Sequence, residues 1–185
     1  LMGGNINVSS ELNKGSIFTF NIQVKIPSSS QEIKSSSHQI IGFKMAAAKP
    51  RILLVEDLLE NRQLLVNILA PLGFELKEAK NGQEAFANWL IWQPHLILMD
   101  IQMPVMNGYE ATKKIKKFSA DVITPPPHNT VIIAITASAL ADEKDYILTS
   151  GCDDYIAKPI QTDILLYKIG QHLGLEYIYK LPIDN

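Results

Sequence analysis

Three carboxylates in this 185-residue chain stand directly after short apolar runs. Glu56 and Asp57 follow Arg51-Ile52-Leu53-Leu54-Val55, and Asp100 follows Leu96-Ile97-Leu98-Met99. Thr136 follows the run 131–135, and Lys158 follows Tyr155-Ile156-Ala157. In an open α/β sheet, sites form at the carboxyl ends of strands where the strand order reverses. If the first and third apolar runs are neighbouring strands, all three acids meet in one crevice. Carboxylates that close repel and raise one another's pKa unless a cation neutralises them. Oxygen-only ligands in an open, partly hydrated site favour Mg²⁺. The Thr136 hydroxyl and the Lys158 ammonium, facing a metal-bound carboxylate, suit an anionic group built on that carboxylate. A single acid at a strand end is ordinarily a helix cap or a loop charge. Three acids, a threonine and a lysine at four strand ends together point to a site.

The elements that must position these groups follow from the apolar pattern. Residues 51–55 form a continuous apolar run, as in a strand buried on both faces. Leu64, Leu65, Ile68 and Leu69 recur at helical spacing, and that helix should end before Pro71-Leu72-Gly73. A second strand is predicted over 74–79, then a turn at Asn81-Gly82 into a helix carrying Ala85, Phe86, Trp89 and Leu90. A strand over 96–99, a helix over 109–118, a strand over 131–135, a helix over 138–149 and a strand over 155–157 follow. Thr162 is expected to cap a last helix running to Leu173, with Gly174 past its end. Five βα units in a row predict an α/β fold: an open parallel sheet with helices on both faces.

Residues 5–8 and 16–26 alternate apolar and polar with a period of two, and Leu12-Asn13-Lys14-Gly15 between them has turn chemistry, which predicts a β-hairpin. A lone hairpin is marginal in water, so this one is expected to belong to a larger domain. The chain also begins in mid-pattern, as a piece of a longer protein would. Residues 27–38 are serine-rich and read as a linker extending to 49. Residues 1–49 carry five lysines against two acids, whereas 50–185 carry twelve basic residues against seventeen acids. An acidic domain has no electrostatic reason to bind nucleic acid. The single cysteine, Cys152, excludes an internal disulfide and a cysteine-rich metal site. No apolar run reaches the roughly 18 residues that span a bilayer, and no signal peptide opens the chain, so no membrane contact is expected.

The segments Val55-Glu56-Asp57, Met99-Asp100-Ile101-Gln102-Met103-Pro104-Val105-Met106-Asn107-Gly108, Ile135-Thr136-Ala137 and Asp154-Tyr155-Ile156-Ala157-Lys158-Pro159 resemble the receiver domain of response regulators. The resemblance covers about 125 of the 185 residues and implies a five-stranded, doubly wound parallel sheet of flavodoxin-like order over residues 50–175, followed by a tail at 176–185. It implies that Asp100 is the phosphoacceptor, taking a phosphoryl group from a phosphohistidine with Mg²⁺. It makes Asp57 a direct metal ligand, Glu56 a ligand through water, and the Gln102 carbonyl the remaining protein ligand. Thr136 and Lys158 would contact the phosphoryl oxygens, and Tyr155 would be the aromatic that swings inward on activation. The Lys158–Pro159 bond would be cis. Leu58, where many receivers have Asn, and Asn107, where Asp is commoner, depart from the pattern without removing a chemical group.

Residues 1–26, with Leu1-Met2-Gly3-Gly4-Asn5-Ile6-Asn7-Val8 and Lys14-Gly15-Ser16-Ile17-Phe18-Thr19-Phe20, resemble the end of the ATP-binding domain of sensor histidine kinases. That order, kinase end then receiver, implies a hybrid sensor histidine kinase acting in a two-component phosphorelay. Its partners would be a kinase dimerisation domain, in cis or in trans, and a histidine phosphotransfer protein. Its location would be cytoplasmic, with any membrane anchor upstream. The Gly-rich and Asn-bearing ATP motifs are absent from these residues, so ATP binding is not expected. With only 175–185 after the last helix, no DNA-binding output is expected.

The competing readings are an interaction module without phosphorylation and a metal-dependent aspartyl phosphatase. The intact acids, Thr136 and Lys158 oppose the first. The second usually needs an acid two residues after the nucleophile, where Gln102 stands. His38 lacks the acid and Arg-Thr-Pro context of a kinase phosphoacceptor and reads as exposed, His95, His128 and His172 share no metal-like spacing, and Cys152, Trp89 and Trp92 read as packed residues. The lysines 113, 114, 116 and 117 read as a solvated helix face or a docking surface, and 119–130, with Pro125-Pro126-Pro127, as a surface insertion.

Overall fold

The computed structural model describes residues 3–23, 40–44, 49–121, 129–137 and 141–179. The chain divides into two compact units, 1–37 and 38–185. In the first, β1 (Ile6–Glu11) and β2 (Gly15–Phe20) pair antiparallel, with Ile6 opposite Phe20 and Val8 opposite Phe18. Asn13 takes the turn at φ 65°, a left-handed conformation that Asn tolerates. Ile6, Val8, Phe18 and Phe20 share one face of this hairpin and are 63–72% exposed. The expected hairpin is present.

The second unit opens with a departure from the sequence reading. The sequence pattern assigns residues 40–44 to the 27–49 linker and 177–179 to the tail. Instead β3 (Ile40–Phe43) pairs antiparallel with β9 (Tyr177–Tyr179). The reason is apolar burial: Phe43 is buried, with its ring 4.7 Å from that of Phe74, and the Tyr177 hydroxyl donates to the Leu166 carbonyl at 2.7 Å. Lys44 and Glu176 form an exposed ion pair beside the ribbon. Residues 27–39 and 45–48 of that linker, His38 among them, lie outside the described residues.

Between these strands run β4 (Arg51–Val55), α1 (Leu59–Leu69), β5 (Glu75–Ala79), α2 (Gly82–Trp92), β6 (Leu96–Asp100), α3 (Gly108–Asp121), β7 (Val131–Thr136), α4 (Ala141–Thr149), β8 (Asp154–Ala157) and α5 (Thr162–Leu173). The sheet order is β5-β4-β6-β7-β8, all parallel, so the strand order reverses beside β4. The period-two alternation sorts the core. Leu53, Val55, Ile97, Met99, Ile132 and Ala134 pack against Ala85, Trp89, Ile115 and Ile147 of α2–α4. Ile52, Leu54, Leu98, Ile133 and Ile135 pack against Leu65, Leu69, Leu165 and Ile169 of α1 and α5. Burying each of the larger aliphatic side chains contributes roughly 1.5–3 kcal/mol, so the central strands are the rigid part on which a site can be built.

Helix ends show how far local signals reach. Asn81 and Asn107 each accept from the amide three residues on, Glu84 and Glu110, at 2.9 Å. Glu110 in turn accepts from the Asn107 amide, a reciprocal cap that shows Asn serving where Asp is commoner. At α5 the cap residue is Gln161 without a side-chain bond, and Thr162 is already helical, so the expected Thr162 cap is off by one. Gly174 closes that helix at φ 63°. Residues 122–128, which contain His128 and the triproline, lie outside the described residues, as do 138–140.

The packed reading of the remaining residues holds. Trp89 is buried and donates to the Thr130 hydroxyl at 3.0 Å, His95 Nδ1 accepts from the Arg51 amide, and Cys152 is buried. The α3 lysines do more than face water. Lys116 pairs with Asp153 at 2.8 Å, and Lys114 sits over the Phe86 ring. No helix among the described residues is long and apolar enough to cross a membrane.

At the start of β8, Asp154 accepts from Lys168 at 2.6 Å, from the Tyr155 amide at 2.7 Å, and faces His172 Nε2 at 3.0 Å. Burial acts to raise its pKa, but these hydrogen bonds and the Lys168 charge outweigh that and hold it below the ordinary value. A lowered folded-state pKa contributes stability that is complete above the unfolded value of roughly 3.9 and is lost as pH falls through the folded value. Asp154→Asn should therefore cost about 1–2 kcal/mol at pH 7, with the difference from wild type shrinking below about pH 4. Urea unfolding of both proteins at pH 7 and pH 3 checks this, and an undiminished difference at pH 3 would count against it.

Candidate functional site

Strand register brings the chemistry to one level. Val55 lies opposite Met99, Asp100 opposite Ile135, and Thr136 opposite Ala157. Glu56, Asp100, Thr136 and Lys158 therefore leave the sheet along the same edge, at its carboxyl end. One carboxylate oxygen each from Glu56, Asp57 and Asp100 lies within 4.8 Å of the others. Glu56 and Asp100 are 1% and 3% exposed, so their charges need partners. Lys158 Nζ supplies one, at 2.9 Å from Glu56 Oε2 and 2.9 Å from Asp100 Oδ2. The Gln102 amide donates to Asp100 Oδ1 at 3.2 Å. The Lys158 amide donates to the Thr136 carbonyl at 2.7 Å, and the Lys158–Pro159 bond is cis, as expected.

The two buried acids are driven apart. Burial, reinforced by repulsion from Glu56, holds the Asp100 carboxyl above its ordinary pKa despite the Lys158 hydrogen bond. Burial also acts to raise Glu56, but donors from Lys158, Asn61 and the Leu58 amide hold it below its ordinary value. Burial alone would lower Lys158; its two carboxylate partners hold it above. Three carboxylates facing one ammonium leave an excess of negative charge that a divalent cation neutralises. A hard cation with oxygen ligands fits this donor set.

Gly108 makes room for the central acid. A Cβ there would collide with the Asp100 carbonyl, and the Gly108 amide donates to Ile101 O at 3.0 Å. Gln102 and Met103 border a shallow cleft that also takes in Ile101, Asn107 and Tyr109. Tyr155 is half-buried on β8, its ring flanked by Lys144 at 5.4 Å and Lys168 at 5.3 Å.

The family model described as the response regulator receiver domain matches residues 52–170. The chain belongs to this family. A receiver domain is the phosphoryl-accepting module of two-component phosphorelays. This receiver is 40% identical over 131 residues to hybrid signal transduction histidine kinase G of Dictyostelium discoideum, covering 69% of this chain and 4% of that protein. It is 32% identical over 164 residues to the aerobic respiration control sensor protein ArcB of Escherichia coli, covering 89% of this chain and 20% of that one. Among solved structures it resembles the receiver domain of Ssk1, determined with the histidine phosphotransfer protein Ypd1 of Saccharomyces cerevisiae. That match has TM-score 0.60 and 38% identity, over 66% of this chain and 88% of that one. It also resembles the receiver domain of the sensor histidine kinase PA1611 of Pseudomonas aeruginosa, which holds a magnesium ion in its active-site cleft. There the TM-score is 0.58 and the identity 30%, over 69% of this chain and 99% of that one.

Sequence reasoning missed two residues of this receiver. Asn61 Nδ2 donates to Glu56 Oε1 at 3.0 Å, and Arg62, 5% exposed, donates to the main-chain carbonyls of Glu56 and Asp57. The signal for Arg62 was available: it falls on the buried face of α1 with Leu65 and Leu69, where an apolar residue is the rule.

Proposed function

We propose that Asp100 is the phosphoacceptor and that Glu56, Asp57, Asp100 and the Gln102 carbonyl hold Mg²⁺. The observation that carries this reading is the shared Lys158 ammonium, 2.9 Å from both Glu56 and Asp100, beside three converging carboxylates. Mg²⁺, when bound, shields the repulsion between the carboxylate and an incoming phosphoryl group. An Asp100 oxygen attacks phosphorus in line with the phosphohistidine nitrogen. The new O–P bond forms as the N–P bond breaks, and the imidazole leaves with the electron pair of that bond. Lys158 and the Thr136 hydroxyl donate to the phosphoryl oxygens, where charge gathers. Recruiting Thr136 lets Tyr155 turn inward, which alters the face made by α4, β8 and α5.

The same reading makes 50–175 the receiver, 27–49 a connection whose end at 40–44 pairs with β9, and 1–26 the end of a kinase ATP-binding domain. Two findings support the last point. The match to ArcB covers 89% of the chain, more than residues 50–185 could supply. The hairpin's exposed apolar face, Ile6, Val8, Phe18 and Phe20, also needs a covering partner. The parent would be a hybrid histidine kinase in the cytoplasm, anchored, if at all, by upstream segments. Its receiver would exchange phosphoryl with the kinase dimerisation domain and a histidine phosphotransfer protein, without ATP bound by these residues.

Intact mass after incubation with a small-molecule phosphodonor tests this. A single phosphate adduct that requires Mg²⁺ is the expected result. No adduct at saturating donor and metal would make the domain a binding module instead.

A further inference from the structure

We propose that Arg62 is the positioning residue of the metal site, aiming the Glu56 and Asp57 carboxylates through their main-chain carbonyls, with Glu78 holding the guanidinium in place. The proposal rests on the reading that these acids bind Mg²⁺.

The geometry begins with a backbone problem. Consecutive residues of an extended strand point to opposite sides, yet Glu56 and Asp57 follow directly on β4 and their carboxylates approach one point together with Asp100. The chain must bend between them. Arg62 stabilises that bend: its Nη1 donates to the Glu56 carbonyl at 2.8 Å and to the Asp57 carbonyl at 3.0 Å. Two successive carbonyls directed at one nitrogen fix the peptide between them, and so the directions in which both side chains leave. Arg62 Nε donates to Glu78 Oε2 on β5 at 3.1 Å, which fixes the rotation of the fork.

Stability alone does not account for an arginine there. The position is 5% exposed and lies on the core face of α1, where burying a cation is costly and an apolar side chain is the ordinary choice. Lysine would keep the charge but not the planar fork. Groups that orient the ligands of a metal typically change its affinity by about 10–100-fold when removed.

Calorimetric Mg²⁺ titration of the full chain tests this in Arg62→Met, Arg62→Lys and Glu78→Gln, with Asp57→Ala as the reference and thermal melting as the check on folding. Arg62→Met should weaken Mg²⁺ binding about 10–100-fold, with Arg62→Lys between it and wild type. Glu78→Gln should weaken it by roughly threefold, because it loosens the fork without removing it. Phosphorylation of Arg62→Met by a small-molecule donor should need more Mg²⁺ for half-maximal rate while the limiting rate stays near wild type. A merely structural residue would not produce that split. Wild-type Mg²⁺ affinity in a folded Arg62→Met protein overturns the proposal. If Arg62→Met does not fold, unchanged affinity in both Arg62→Lys and Glu78→Gln overturns it. Unchanged affinity in Asp57→Ala would remove the site reading itself, a different failure from an Arg62 variant that binds normally beside a weakened Asp57→Ala.

Discussion

Asp100→Asn should abolish the phosphate adduct while leaving the fold intact. Asp100 ends β6, the central strand, and is the only acid of the cluster on it. Its Oδ2 faces the Lys158 ammonium and its Oδ1 the Gln102 amide, so both oxygens are held in direction before any donor arrives. An amide of the same shape keeps the packing but is a far poorer nucleophile, and it carries no charge for a metal. Its removal also relieves repulsion against Glu56, which now helps to push Asp100 up. The variant should therefore unfold at the same or slightly higher urea concentration than wild type. Intact mass with Mg²⁺ and a phosphodonor reads the first effect. An adduct of unchanged stoichiometry would move the nucleophile elsewhere, with Asp57 the first position to examine.

Lys158→Met should have two effects of opposite sign. The ammonium bonds Glu56 Oε2 and Asp100 Oδ2, on two of the acids proposed to hold the metal. Removing it takes away a competing positive charge, so Mg²⁺ should bind more tightly, by roughly tenfold for a near-contact charge at a partly screened site. It also removes a preorganised donor for the phosphoryl oxygens, so phosphorylation should slow by about 10²–10³-fold. Without metal the variant should lose about 1–3 kcal/mol of stability, because two buried carboxylates are left facing each other. Added Mg²⁺ should recover part of that by binding the folded state alone. Tighter metal with slower chemistry is the signature. Weaker Mg²⁺ binding in Lys158→Met would contradict the expected competition between ion and ammonium.

Much of this was legible before the structure because parallel buried strands have a plain signature. Residues 51–55, 96–99 and 131–135 are continuous apolar runs, and the first polar residue after each marks the sheet's carboxyl edge. Glu56, Asp100 and Thr136 were found that way, with Lys158 from the fifth strand. β3 and β9 were missed because their pairing joins residues more than 130 positions apart. Strands of four and three residues carry no local periodicity strong enough to separate Ile40-Ile41-Gly42-Phe43 from a serine-rich neighbour. Arg62 was missed for another reason: a charge in a helix is ordinarily a surface residue. Only its phase with Leu65 and Leu69 reveals that it faces inward. Asn61 gave less warning still, since its role depends on the side-chain direction of Glu56.

The central claim is that metal and phosphoryl group occupy one shared site on Asp100. Mg²⁺ titration with and without beryllofluoride, followed by NMR, tests it most directly. Beryllofluoride on Asp100 stands in for the phosphoryl group, gives the metal another anionic ligand and gives Lys158 and Thr136 a further acceptor. Each ligand should then tighten the other by the same factor, and that factor should collapse in Asp57→Ala and shrink less in Glu56→Ala. Equal Mg²⁺ affinity in the two conditions would contradict a shared site.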